Sequence, residues 1–148
     1  MRIPTLISFL LSAFITTAGF AQINGFSSAG GGFYSKSDPG LFRSIGVIKQ
    51  SGIGLIFSAE YGYRKESEFG SLGMGAVISS RSAWLFCMDY YPAKDADGSL
   101  GDIGGNGLVL IEIIEGGFVS WLGSLRVGFS TKGAYMEIGT GIKIRLSN

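Results

Sequence analysis

From residue 119 to residue 146 the chain alternates apolar side chains with small or polar ones almost without a break. Val119, Trp121, Gly123, Leu125, Val127 and Phe129 share one phase, while Ser120, Leu122, Ser124, Arg126 and Gly128 share the other. After Thr131-Lys132-Gly133 the alternation resumes. Ala134, Met136, Ile138, Thr140, Ile142, Ile144 and Leu146 now stand against Tyr135, Glu137, Gly139, Gly141, Lys143 and Arg145. A period of two means β-strand, because successive side chains leave opposite faces of an extended chain. Folding the two runs about Thr131-Lys132 sets Phe129 opposite Ala134, Val127 opposite Met136 and Leu125 opposite Ile138. The same register brings Arg126 opposite Glu137 and predicts an opposite-charge cross-strand pair.

The same rhythm extends back along the chain. Residues 25–36 form a glycine-rich first strand with Phe26, Phe33 and Tyr34 as its bulk, and Ser37-Asp38-Pro39-Gly40 reads as a reverse turn. Strands are then expected over 41–49, 53–64, 69–80 and 83–91, with breaks at Gln50-Ser51-Gly52, Lys65-Glu66-Ser67 and Ser80-Arg81-Ser82. A long Asp- and Gly-rich loop is expected over 92–106, followed by a strand over 108–114 and a turn at Glu115-Gly116-Gly117. No helical period is found after the N-terminal segment. The expectation is about eight up-and-down strands, all-β, closing into an antiparallel barrel because closure removes exposed strand edges.

Which face points inward follows from what the second face is made of. A water-facing exterior would be rich in long polar side chains. Here the second face is largely Gly and Ser, including Gly54, Ser58, Gly62, Ser71, Gly73, Gly75, Ser124 and Gly128. Among them stand four acids, Glu60, Asp89, Glu112 and Glu137, and four bases, Arg64, Arg126, Lys143 and Arg145. Small residues with balanced charges suit a narrow lumen. An unpaired buried charge typically costs 3–5 kcal/mol, so the eight are expected to form a network that plugs the barrel. The apolar face is then outside, with Leu55, Phe57, Trp84, Phe86, Trp121, Leu125, Val127, Met136, Ile138 and Ile142 facing lipid. The opposite arrangement, a soluble periplasmic or secreted barrel holding an apolar ligand, is the alternative.

The N-terminal 21 residues have the layout of a secretory signal: Arg2, an apolar run from Leu6 to Ile15, and small residues Gly19 and Ala21 before a cut that leaves Gln22 first. That assigns 1–21 to a signal peptide and 22–148 to one β-barrel domain. Lone Cys87 excludes an internal disulfide, and 12 basic against 11 acidic residues give no footprint for nucleic acid.

With signal, strand rhythm and faces in hand, the chain resembles the small Gram-negative outer-membrane barrels, the OmpA- and OmpX-like eight-stranded type. The resemblance is one of architecture. It implies an outer-membrane location, the lipid bilayer and the barrel-assembly machinery as partners, and a structural, adhesive or envelope-related role carried by the outer loops. Members of that group usually end in an aromatic residue, whereas this chain ends Leu146-Ser147-Asn148.

The composition limits the chemistry. Without a single His, Ser-His-Asp hydrolysis, His-activated thiols and most zinc sites are excluded. The chain is therefore expected to be no enzyme and to need no cofactor. Asp95, Asp97 and Asp102 have something of the spacing of a calcium loop but lack a further oxygen-bearing position and the closing Glu, so a solvated surface loop is the simpler expectation. Oligomeric state is not legible.

Overall fold

The computed structural model describes residues 22–92, 101–131 and 133–147, with Thr5 and Ser8 isolated ahead of them. Apart from Thr5 and Ser8, the segment read as a signal peptide lies outside the described residues. Eight strands follow one another: β1 (Gln22–Tyr34), β2 (Ser37–Gln50), β3 (Leu55–Arg64), β4 (Ser67–Ser79), β5 (Ser82–Tyr91), β6 (Asp102–Ile114), β7 (Val119–Ser130) and β8 (Gly133–Arg145). Each pairs antiparallel with the next, and β1 pairs with β8, so the sheet is a closed all-β barrel. The β7–β8 hairpin has the register expected from the alternation, with Phe129 opposite Ala134, Val127 opposite Met136, Leu125 opposite Ile138 and Arg126 opposite Glu137.

Three boundaries differ from expectation. The first turn is Ser35-Lys36, and Ser37-Asp38-Pro39-Gly40 opens β2 instead of reversing the chain. Pro39 is tolerated because the ladder shifts there: Gly32 pairs with Gly40 and Tyr34 with Ser37, leaving Asp38 and Pro39 against Phe33 alone. A proline at such a bulge forfeits no ladder bond. The second difference is β3, which starts at Leu55, with Ile53 in the preceding turn and almost fully exposed. Third, β6 begins at Asp102, so the last five residues assigned to the long loop are strand. Glycines at 104 and 105 read as loop residues, but each is paired on both sides, with β5 and β7.

The inward glycines make room for large neighbours. A Cβ built on Gly128 would lie 2.5 Å from the ring of Tyr135 and 2.7 Å from Cβ of Asn106. One on Gly139 would lie 2.5 Å from the Phe42 ring and 2.8 Å from Oγ of Ser124. In each case a ring lies across the bare backbone of the neighbouring strand, an arrangement that fills a lumen too narrow for side chains at every position. The turns supply the few left-handed residues, Gly54, Gly133 and, without the excuse of being glycine, Lys65 at φ 57°.

The two barrel ends are unequal. One end holds Gln22 and Arg145 with the connections 51–54, 80–81 and 115–118; the other holds 35–36, 65–66, 92–101 and 131–132. Three of those four connections are two residues long, the tightest hairpin class. Gly128→Ala should lower stability by about 1–3 kcal/mol through overpacking. Gly31→Ala, whose new methyl would meet nothing nearer than 4.0 Å, should be neutral or slightly stabilising. Urea unfolding midpoints of the two refolded variants check the contrast.

Candidate functional site

The charged residues of the lumen do not form one continuous network. The lumen has three levels, read along the inward residues of β6 as Asn106, then Leu108 and Leu110, then Glu112, and the paired charges lie in the first and third.

The first level lies toward the end with the two-residue turns and is built on Arg64, the last residue of β3. Its guanidinium forks onto Glu137 of β8, with Nε donating to Oε2 at 2.7 Å and Nη2 to Oε1 at 3.0 Å. Nη1 donates to the Tyr91 hydroxyl and lies 3.4 Å from Oδ2 of Asp89. The planar cation is sandwiched between the rings of Phe69 and Tyr135, at 4.2 and 4.4 Å from their centroids. Arginine suits this place because its flat fork matches a carboxylate while its faces accept aromatic rings. Asp89, fully buried on β5, accepts from Asn106 Nδ2 with both oxygens and from the Tyr135 hydroxyl at 2.6 Å. Tyr34 donates to Glu137 at 2.8 Å. Beside this cluster Arg126 Nη2 donates to Glu60 Oε2 at 2.6 Å across the lumen, both side chains buried.

The second level is apolar: Phe26, Ile48, Ile56, Ala83, Leu85, Cys87, Leu108, Leu110 and Leu122 pack as one buried cluster. The third is the pair Lys143 Nζ to Glu112 Oε2 at 2.7 Å, partly exposed at the end that holds Gln22 and Arg145.

Several of these placements correct the sequence reading. Arg126 and Glu137 are cross-strand neighbours, yet they do not pair: Arg126 reaches Glu60 on β3, and Glu137 is taken by Arg64. In a closed barrel long side chains from other walls meet across the lumen, and the fork of Arg64 offers Glu137 two bonds. Arg145 is exposed at the last position of β8 and belongs to none of the three levels. The inward face is not uniformly small and polar, since Ile56, Leu85, Leu108 and Leu122 fill its middle. The sequence reading also missed partners. Tyr91 and Tyr135 share the phase of Asp89 and Glu137 and were within reach of the pattern. Asn106 was hidden in the expected loop. Asp102 stands at the start of β6 opposite Tyr91, while Asp95 and Asp97 lie outside the described residues.

The outer wall carries Leu55, Trp84, Phe86, Trp121, Leu125, Val127, Met136, Ile138 and Ile142 at 40–76% exposure, with Phe57 half-buried. Trp84 and Trp121 stand two residues in from the strand ends nearest Gln22 and Arg145, and the Trp121 indole donates to Thr140 Oγ1. Tyr63, Tyr90 and Phe129 stand one residue from the strand ends at the opposite rim.

Arg64→Met should cost about 3–5 kcal/mol, because Glu137 and Asp89 are left buried without their cation. Lys143→Met breaks a partly hydrated pair and should cost about 1 kcal/mol or less. Denaturant titrations of the folded barrel separate the two.

No family model matches this sequence, and no curated protein matches it. Solved structures do. A de novo designed transmembrane β-barrel superposes with a TM-score of 0.55 at 9% identity, over 84% of this chain and 95% of that one. The solution structure of the designed barrel TMB2.3 gives 0.51 at 12% identity, over 86% and 96%. The crystal structure of Neisserial surface protein A gives 0.52 at 12% identity, over 85% and 97%. At such identities the likeness is one of fold: this chain has the eight-stranded architecture of transmembrane β-barrels.

Proposed function

We propose that this chain is an integral outer-membrane β-barrel with a structural role in the envelope, exported by a cleaved signal peptide and closed to solutes by its own lumen. The observation that carries the reading is the division of side chains between the two faces of one closed sheet. Leu, Ile, Val, Met, Phe and Trp cover the outside, whereas every buried ion pair lies inside. In water this arrangement would expose far more apolar wall than a soluble monomer tolerates. In lipid it is what the solvent requires. Strands of 10–14 residues are long enough to cross the hydrocarbon when tilted. The Trp pair at one rim and the Tyr and Phe residues at the other suit two interfacial belts.

The alternative of a soluble barrel around an apolar ligand finds less support. The clefts that open at the two lumen ends measure about 70 and about 90 Å³, well below the roughly 300 Å³ of a small-molecule pocket. The three levels in the lumen suggest a plug with an apolar middle and a charged layer on either side. An adhesive role has little surface to use, since three of the four connections at the rim away from Gln22 are two-residue turns. Any contact made there would fall to 92–101, the connection between β5 and β6. We further propose that the chain is not an enzyme and that the barrel-assembly machinery inserts it.

Fractionation tests the location: recovery in detergent-extracted outer membrane with a heat-modifiable gel shift is expected, and clean recovery in soluble periplasm would reject it. Planar bilayers test the plug. No steady conductance is expected, and large stable single-channel steps would overturn it. Leu125→Arg on the outer wall should cost about 2–4 kcal/mol for refolding into vesicles, against about 0–1 for Ile53→Arg in the turn at the rim.

A further inference from the structure

Near one rim of the outer wall, polar side chains from three neighbouring strands gather on the outward face. On β2, β3 and β4, near the rim with the two-residue turns, Arg43, Tyr61, Tyr63 and Glu68 lie side by side on the lipid-facing surface. Tyr61 donates to Glu68 Oε1 at 2.6 Å, and the two tyrosine hydroxyls are 3.3 Å apart. Arg43 is exposed and lies 5.1 Å above the centre of the Tyr63 ring. The carboxylate of Glu68 is thus committed to Tyr61, and among the described residues no ion pair joins Arg43 to an acid.

Beside this cation the wall is hollow. Gly31, Phe33, Pro39, Leu41 and Ile138 line an open apolar groove of about 490 Å³. Leu41 precedes Arg43 by one step on the same face of β2. The ladder partner of Arg43 on β1 is Ala29, next to Gly31 on that face, so groove and cation adjoin.

Resting on the membrane reading above, we propose that this patch is a site for a phosphate-bearing membrane lipid. Its phosphate meets the Arg43 guanidinium and the Tyr63 hydroxyl, and one acyl chain lies in the groove. Two physical arguments select this occupant. A charged side chain on the wall of a membrane barrel is unfavourable unless it finds a counter-charge, and at the headgroup level the available one is phosphate. Guanidinium also meets phosphate with two parallel hydrogen bonds, which a lone exposed Arg stacked on Tyr is free to offer. A second copy of this chain would need an acid facing Arg43, and Glu68, the acid of this patch, is already bound.

The test uses the full barrel, refolded and purified in a non-ionic detergent. It is offered phosphatidylglycerol, or diacylglycerol with the same acyl chains, and bound lipid is read by native mass spectrometry. The wild type should retain one phosphatidylglycerol about tenfold more than diacylglycerol, the worth of a charge-assisted contact. Arg43→Gln should abolish that preference and Arg43→Lys should restore part of it. Gly31→Leu, with open space at its Cβ, should reduce retention of both lipids by filling the groove. Equal retention of the two lipids by the wild type, or an unchanged preference in Arg43→Gln, would overturn the site. A concentration-dependent dimer lost in Arg43→Gln would replace it with a second copy. The heat-modifiable shift of each variant, recorded in parallel, reports the membrane-barrel reading separately from the lipid site.

Discussion

The structure depends on the pairing of β1 with β8. An open sheet of eight strands would leave two rows of unpaired backbone donors and acceptors at its edges, which a hydrocarbon solvent, the one proposed for its wall, could not meet. Here Asn24 to Tyr34 meets Tyr135 to Arg145 through an unbroken register, and no edge is left. Closure has a steric consequence, because the inward side chains of eight strands must share a cylinder barely wide enough for them. The glycines at 128 and 139, with Tyr135 and Phe42 laid over them, are where that crowding is relieved. A sheet open on one side would have no such need.

Crowding also sets the electrostatics. Five ionisable side chains, Glu60, Arg64, Asp89, Arg126 and Glu137, are withdrawn from water on one side of an apolar cluster. Their desolvation is offset by charge-assisted bonds, by the hydroxyls of Tyr34, Tyr91 and Tyr135, and by the rings on both faces of Arg64. The result is a lumen crossed by paired charges beside an apolar cluster. For a protein whose outer wall meets a fluid solvent, the interior is the part that fixes shape.

Much of this was legible in the sequence, for a simple reason. The two-residue period of a strand is local, and the contrast between its faces survives in the residue types, so strand count, closure and the outward set from Trp84 to Ile142 could be read directly. The misreadings share one cause. Glycines at 104 and 105 carry the same letter whether they make a loop or a crowded strand, and only their neighbours on β5 and β7 decide. Pro39 looked like a turn because a bulge has no sequence signature of its own. Arg126 and Glu137 looked like a pair because cross-strand adjacency is all a linear chain reveals.

The sequence by itself determined a series of antiparallel strands with one apolar face and one small, charge-bearing face, since those follow from period and residue type. Tertiary structure alone decided which charges meet. Once the barrel closes, β3 and β8 lie across one narrow lumen, and Arg64 and Glu137, 73 residues apart, become nearer partners than residues facing each other on one hairpin. It also decided that the lumen has an apolar middle and that Arg43, read only as one residue of the strand over 41–49, stands exposed on the outer wall beside a groove. These are distances across and around a cylinder, and a one-dimensional pattern holds no record of its circumference.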